Sequence, residues 1–196
     1  MAADEKPAIV GYGPWKLGDS REAVRAVESH GPYLDVRSTG GLETYAGEFL
    51  GEPTHISFVF GDAGLFLIQL WLYNGGEEGD FEAATAALHR AYGYLQTELG
   101  ALHSDGLVVP ESLTLDGLRR LVPEAFRDQS QRIDMSQALT AGARIKTNSL
   151  SFHLHPRDPP PGADVSASLF YNPQLGMYWV FLYFRNDRPA ADGHGR

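Results

Sequence analysis

Residues Thr54 to Tyr73 constrain the fold more than any other stretch of this chain. Two runs rich in β-branched and aromatic residues, Thr54–Phe60 and Leu65–Tyr73, flank the turn Gly61-Asp62-Ala63-Gly64. Such side chains suit a pleated, half-buried surface, and the glycines supply the positive φ that a tight reversal needs. A β-hairpin follows. The pattern returns near the C-terminus, where Val165–Tyr171 turns through Asn172-Pro173-Gln174-Leu175-Gly176 into Met177–Arg185. Setting Gly64-Leu65-Phe66 against Gly176-Met177-Tyr178 brings Trp71-Leu72 onto Tyr183-Phe184, and Ser57-Phe58 onto Ser168-Leu169. The chain thus carries a degenerate internal repeat of about half its length.

Helical signals surround the hairpins. Asp19 with Glu22 makes a capping box ahead of Ala23, Val24, Ala26 and Val27, and Gly31-Pro32 stops that helix. Trp15 and Leu17 precede the cap and are placed to pack onto the stripe. Tyr33–Val36 and Leu42–Leu50 read as short strands. Beyond the acidic turn Gly75-Gly76-Glu77-Glu78-Gly79, a second helix starts at the cap Asp80 and runs to Leu99 before Gly100. Phe81, Ala84, Leu88, Ala91, Tyr92, Leu95 and Leu99 keep its apolar rhythm. Ala101–Pro110 reads as a link. Thr114 caps a shorter helix through Leu115, Leu118, Leu121 and Val122, which Pro123 kinks or ends. Gln129–Ala143 fits either state. Arg144–His155 reads as a strand, Asp158-Pro159-Pro160-Pro161-Gly162 as an exposed loop.

These elements give an α+β class. The expected architecture is two degenerate helix-plus-antiparallel-meander halves, 14–101 and 110–188, packed as one compact domain between flexible tails 1–13 and 189–196. Tight turns between neighbouring strands argue against a parallel sheet.

Composition excludes several function classes. With 196 residues, 43% of them hydrophobic, the chain is long enough to bury most of its apolar surface. It has no cysteine, so disulfides, cysteine-ligated zinc, iron–sulfur clusters and thiol catalysis are out. The net charge of −9 repels phosphate backbones and anionic lipid, and it would draw a basic partner. No apolar run is long enough to span a bilayer. Met1-Ala2-Ala3-Asp4-Glu5-Lys6-Pro7 lacks the basic and apolar regions of a secretory signal, so a cytoplasmic location is expected, or a periplasmic one had a signal been removed. Arginine far outnumbers lysine, the bias of a GC-rich coding genome and hence of a bacterial source.

Strand alternation then separates two faces. Phe66, Ile68, Leu70 and Leu72, with Tyr178, Val180, Leu182 and Phe184, form the face expected against the helices. The opposite face holds Leu65, Leu67, Gln69, Trp71 and Tyr73, then Met177, Trp179, Phe181, Tyr183 and Arg185. Trp, Tyr and Arg in such a mixture are the composition of a binding surface. Gln69, Trp71, Tyr73, Trp179, Phe181, Tyr183 and Arg185 are the candidate partner-binding residues. The competing reading is that a second layer, such as Gln129–Ala143, covers these rings, because large aromatics are buried on average.

Candidate chemistry is sparse. His153-Leu154-His155 puts two imidazoles on one strand face, as some zinc sites do, but zinc needs a third ligand and the sequence does not identify one. No G-x-S-x-G, P-loop, G-x-G-x-x-G or H-E-x-x-H motif occurs in usable form. Glu77, Glu78 and Asp80 place negative charge at the positive end of a helix, which accounts for them without a cation.

The run Trp15-Lys16-Leu17-Gly18-Asp19-Ser20-Arg21-Glu22-Ala23-Val24, followed by Gly31-Pro32, resembles the opening of the small α/β repeat of the SmpA/OmlA outer-membrane assembly lipoproteins. The β-lactamase inhibitory proteins have a similar repeat, and Phe58, Phe60, Gly64, Leu65 and Ile68 match its later strands. The resemblance covers about Trp15–Tyr73. It implies tandem units that hold a partner protein against an aromatic sheet, and carries over no specific binding residue. The chain departs from these families in lacking a lipidation cysteine and a disulfide-forming pair, and in its long second helix.

The sequence therefore leads to a non-enzymatic protein-binding module without a cofactor: an immunity protein against a basic toxin, an inhibitor, or an envelope or secretion scaffold. The alternative is a metal-dependent hydrolase using His153 and His155.

Overall fold

The computed structural model describes residues 11–76, 80–104, 107, 109–139 and 149–186. The fold is mixed α+β. A two-stranded ribbon, β1 (Gly11–Tyr12) and β2 (Trp15–Lys16), leads into helix α1 (Arg21–Arg25) and a 3-10 turn at Glu28–His30. A meander follows: β3 (Leu34–Val36), β4 (Gly41–Phe49), β5 (Glu52–Gly61) and β6 (Gly64–Gly75). Then come α2 (Asp80–Leu99), β7 (Leu102–His103), α3 (Leu115–Leu139), β8 (Leu150–Pro156), β9 (Ala163–Asn172) and β10 (Met177–Asn186). The larger sheet has eight strands in the order β3-β4-β5-β6-β10-β9-β8-β7. The chain divides into two compact units that do not follow chain order. The first takes in Met1–Leu70, Asp158–Val165 and Tyr183–Arg196, and the second Trp71–Arg157 and Ser166–Leu182.

In the first unit, Trp15, Val24, Leu42, Ile56, Phe58, Ile68, Leu70 and Phe184 form a core, each at most 1% exposed. Trp15 meets Phe58 edge-on at 5.0 Å and His30 at 4.9 Å, and its indole N–H donates to Tyr33 Oη at 3.3 Å. It packs on the meander, and of the stripe expected beneath it only Val24 is buried. The cap of α1 is Ser20, one residue later than expected: Ser20 Oγ accepts from Ala23 N at 3.2 Å. Asp19 is committed elsewhere, since its carboxylate accepts from Lys16 N at 2.7 Å. Gly11–Tyr12 belong to the fold and not to a flexible lead-in, because Tyr12 donates its hydroxyl to the Glu48 carbonyl at 2.7 Å. Arg21 and Arg25 both pair with Asp35, and hydrogen bonds from Arg25 and then Arg21 hold that carboxyl below its ordinary pKa.

The organising hairpin forms as expected, with a two-residue turn at Asp62-Ala63. Gly64 has φ +99°, and a Cβ there would stand 2.4 Å from the Gly18 carbonyl oxygen. The close approach exists because Gly18 N donates to Leu65 O and Leu65 N to Asp19 O, both at 2.8 Å. That pairing also explains why Leu65, expected on the open face, is 1% exposed.

In the second unit, α2 has the bounds expected, and Ala84, Thr85, Ala87, Leu88, Ala91, Tyr92 and Leu95 are buried. Helix α3 runs on through Pro123 to Leu139, where a kink or stop was expected. Pro123 removes one backbone bond near the middle of the helix. The buried Leu118, Val122, Ala125 and Phe126 continue across that point and hold both sides to the core. Leu118, Leu88, Phe152, Leu154, Leu169, Val180 and Leu182 are fully buried. The acidic turn residues 77–79, positions 140–143 of the ambiguous stretch, 144–148 of the expected strand and the tail 189–196 lie outside the described residues. Among the described residues no helix is long and apolar enough to cross a membrane.

Candidate functional site

Register fixes which side chains share a face. In the second unit β8 pairs antiparallel with β9, Ser151 opposite Phe170 and His153 opposite Ser168, while β7 places His103 opposite His155. Residues between these pairs turn inward: Phe152 and Leu154 are at most 1% exposed. The helices lie on that inner side. Phe126 of α3 stacks on Tyr171 at 6.2 Å, and Phe81 of α2 stands 5.9 Å from Tyr178, whose phenol burial pushes up.

On the opposite side the rings make one unbroken file. Trp71 meets Phe181 edge-on at 4.8 Å, and Phe181 lies 5.8 Å from Phe170. Phe170 meets His153 edge-on at 5.5 Å, His153 is 6.0 Å from His155, and His155 is 5.6 Å from His103. The file crosses β6, β10, β9, β8 and β7, a width of roughly 19 Å at about 4.8 Å per strand spacing. Trp71, Phe170, His153 and His155 are half-buried and His103 is exposed.

The expected partner-binding residues distribute unevenly over this surface. Trp71 and Phe181 touch, and Trp179 is half-buried on the same strand face as Phe181. Phe181 itself is only 9% exposed, so it supports Trp71 from beneath and is not the anchor expected of it. Tyr73 turns its hydroxyl to the Asp80 carboxylate. Gln69, Tyr183 and Arg185 fall in the first unit: Gln69 is half-buried, burial pushes the Tyr183 phenol up, and the exposed Arg185 pairs with Asp164. Of the segment weighed as a cover for these rings, the side chains of 131–143 lie outside the described residues, and Gln129 engages a strand edge. Its amide donates to Ser151 O at 2.6 Å and accepts from Ser151 N at 2.9 Å, closing the outer edge of β8 as a neighbouring strand would.

Two arrangements resemble catalytic ones. His153 Nδ1 shares a hydrogen bond with Ser168 Oγ at 2.7 Å, but Ser168 is 2% exposed and sits mid-strand, so it orients the imidazole and presents no accessible nucleophile. In the first unit His55 Nε2 lies 3.2 Å from Glu43 and 3.5 Å from Ser57 Oγ. A serine–histidine–acid relay needs the hydroxyl and the carboxylate on opposite ring nitrogens, and here both share one. His103, within the segment read from sequence as a link, supplies the third imidazole of the file. Its strand, Leu102–His103, is too short for alternation to show in the sequence. The three imidazoles stand in line and do not surround a common point. Among the described residues no group of three or more His, Cys, Asp or Glu is placed to hold a metal ion.

Comparison with protein-family models, with curated proteins and with solved structures finds no match for this chain.

Proposed function

We propose that this chain is a non-enzymatic protein-binding module that grips its partner on the outer sheet face, with Trp71 and Trp179 as anchors. The observation that carries the reading is the file of ring contacts from Trp71 to His103, on the side of the strands away from α2 and α3. Half-buried rings held edge to edge are rigid before binding, so docking on them costs little side-chain entropy. The strand order adds support for a tandem architecture: β3 to β6 and β7 to β10 each enter the sheet as a run in chain order, with the last strand of each run side by side. A duplicated meander of this kind is the arrangement of the inhibitory proteins that the sequence resembles. An immunity, inhibitor or scaffold role fits such a surface.

The test is capture from native lysate with the wild-type chain, Trp71→Ala, Trp179→Ala and, as a control on exposed α3, Arg120→Ala, each checked for a native near-ultraviolet spectrum. Buried aromatic anchors commonly contribute about 2 kcal/mol or more. Both tryptophan variants should lose a partner that the arginine variant retains. Identical captured sets would remove the proposal. Metal analysis of the untagged chain addresses the other reading: stoichiometric zinc lost in His153→Ala would favour a metal-dependent hydrolase.

A further inference from the structure

Of the asparagines in the chain, Asn74 alone precedes a glycine. The pair ends β6, and Asn74 is exposed. At the second position the fold admits no side chain. A Cβ on Gly75 would stand 2.5 Å from the Tyr73 hydroxyl oxygen and 3.0 Å from Asp80 Oδ2. That hydroxyl and that carboxylate are bonded to each other, so the contact fastening β6 to the start of α2 requires a glycine after Asn74.

We propose that Asn74 is a site of spontaneous covalent modification, deamidating through a cyclic imide closed by Gly75. The Gly75 nitrogen attacks Asn74 Cγ and gives up its proton. A C–N bond forms, the Cγ–Nδ2 bond breaks, and ammonia leaves with that proton. Water then opens the ring, at Cγ to give aspartate or at the main-chain carbonyl carbon of residue 74 to give isoaspartate. Glycine favours closure because no Cβ crowds its nitrogen and its backbone turns readily out of the extended form. The last residues of a strand also open at the least cost in ladder bonds. The other asparagines do not meet these conditions. Asn172 precedes proline, which has no N–H to lose, and its Oδ1 accepts from Gln174 N at 2.9 Å and Leu175 N at 3.2 Å. Asn148 and Asn186 precede Ser149 and Asp187, whose side chains hinder attack. Either product places a new carboxylate one residue from the backbone that Asp80 overhangs, and isoaspartate also lengthens the main chain there. The modification thus acts on the Tyr73–Asp80 contact, whatever the sheet face binds.

Storage of the purified full chain at pH 8 and 37 °C, followed by tryptic mapping with tandem mass spectrometry, tests this. Asn74 is the one asparagine between the tryptic sites Arg37 and Arg90. The mass gain of amide-to-acid exchange should appear at Asn74 about tenfold faster than at Asn186, and part of the product should be a substrate for an isoaspartyl methyltransferase. Asn74→Gln should remove the signal, since the larger ring closes poorly. Should Asn74 stay intact in the folded chain while a urea-unfolded sample converts, the fold holds the dipeptide shut and the inference fails. Conversion in neither sample, or a product that is aspartate alone, would equally overturn the cyclic route.

Discussion

Leu50 holds φ at +52° and Gly51 at +82°, the left-handed pair of a two-residue hairpin turn between β4 and β5. Glycine adopts that geometry freely, whereas leucine is strained there by about 1–2 kcal/mol, and Leu50 is also 59% exposed. No packing offsets the strain, so Leu50→Asn should raise unfolding stability by about 1 kcal/mol, read as a higher urea midpoint at unchanged slope. An unchanged or lowered midpoint would mean that the leucine makes contacts that hold it in place. From sequence alone Leu50 reads as the last residue of a strand, because a β-favouring run hides a turn when only its second position is glycine. The same limit applies at the site. Alternation located Trp71, Trp179 and His153 on the outer face correctly, since period-two geometry is local. It could not see that Phe181 would be covered by Trp71 and Phe170, or that Gly18 and Asp19 would pair across Leu65, because those contacts join distant parts of the chain.

At the scale of elements, α2 was legible because its apolar rhythm, cap and terminal glycine all agree. Less apparent is what its outward-looking polar residues hold. Tyr92, 3% exposed, donates its hydroxyl between the Pro110 and Glu111 carbonyls at 3.1 and 2.8 Å and accepts from Leu113 N at 3.0 Å. Gln96 donates to the same Glu111 carbonyl, and His89 Nε2 donates to Leu113 O at 3.0 Å. Three residues one turn apart thus fasten the segment that leads into α3. Tyr92→Phe leaves the ring but orphans the buried Leu113 N–H, at a cost of about 1–3 kcal/mol. Urea unfolding should show that loss, and the Leu113 amide should exchange faster. Unaltered exchange would mean that the segment is held by apolar packing. Helix α3 and strand β7 were the elements misjudged, for opposite reasons: a proline overruled by buried neighbours, and a two-residue strand too short to leave a pattern.

At the scale of the molecule, the first unit gathers residues from both ends of the sequence. Phe184 is fully buried, and Tyr12 lies 5.4 Å from it and 6.4 Å from Phe49. Arg185 pairs with Asp164 in the same unit. Contacts of such sequence separation form late, after much loop entropy has been lost, so the N-terminal meander is expected to depend on the last strand. Phe184→Ala should therefore cost about 3–5 kcal/mol. The loss should appear far away in sequence, as faster hydrogen exchange at amides of β4 and β5 such as Leu42, Ile56 and Phe58. A large loss of stability with those amides still protected would show that the meander between Gly41 and Gly61 folds without β10. Faster exchange throughout β4 and β5 would show instead that the hairpin they form is stable only once the C-terminal strand has joined the unit.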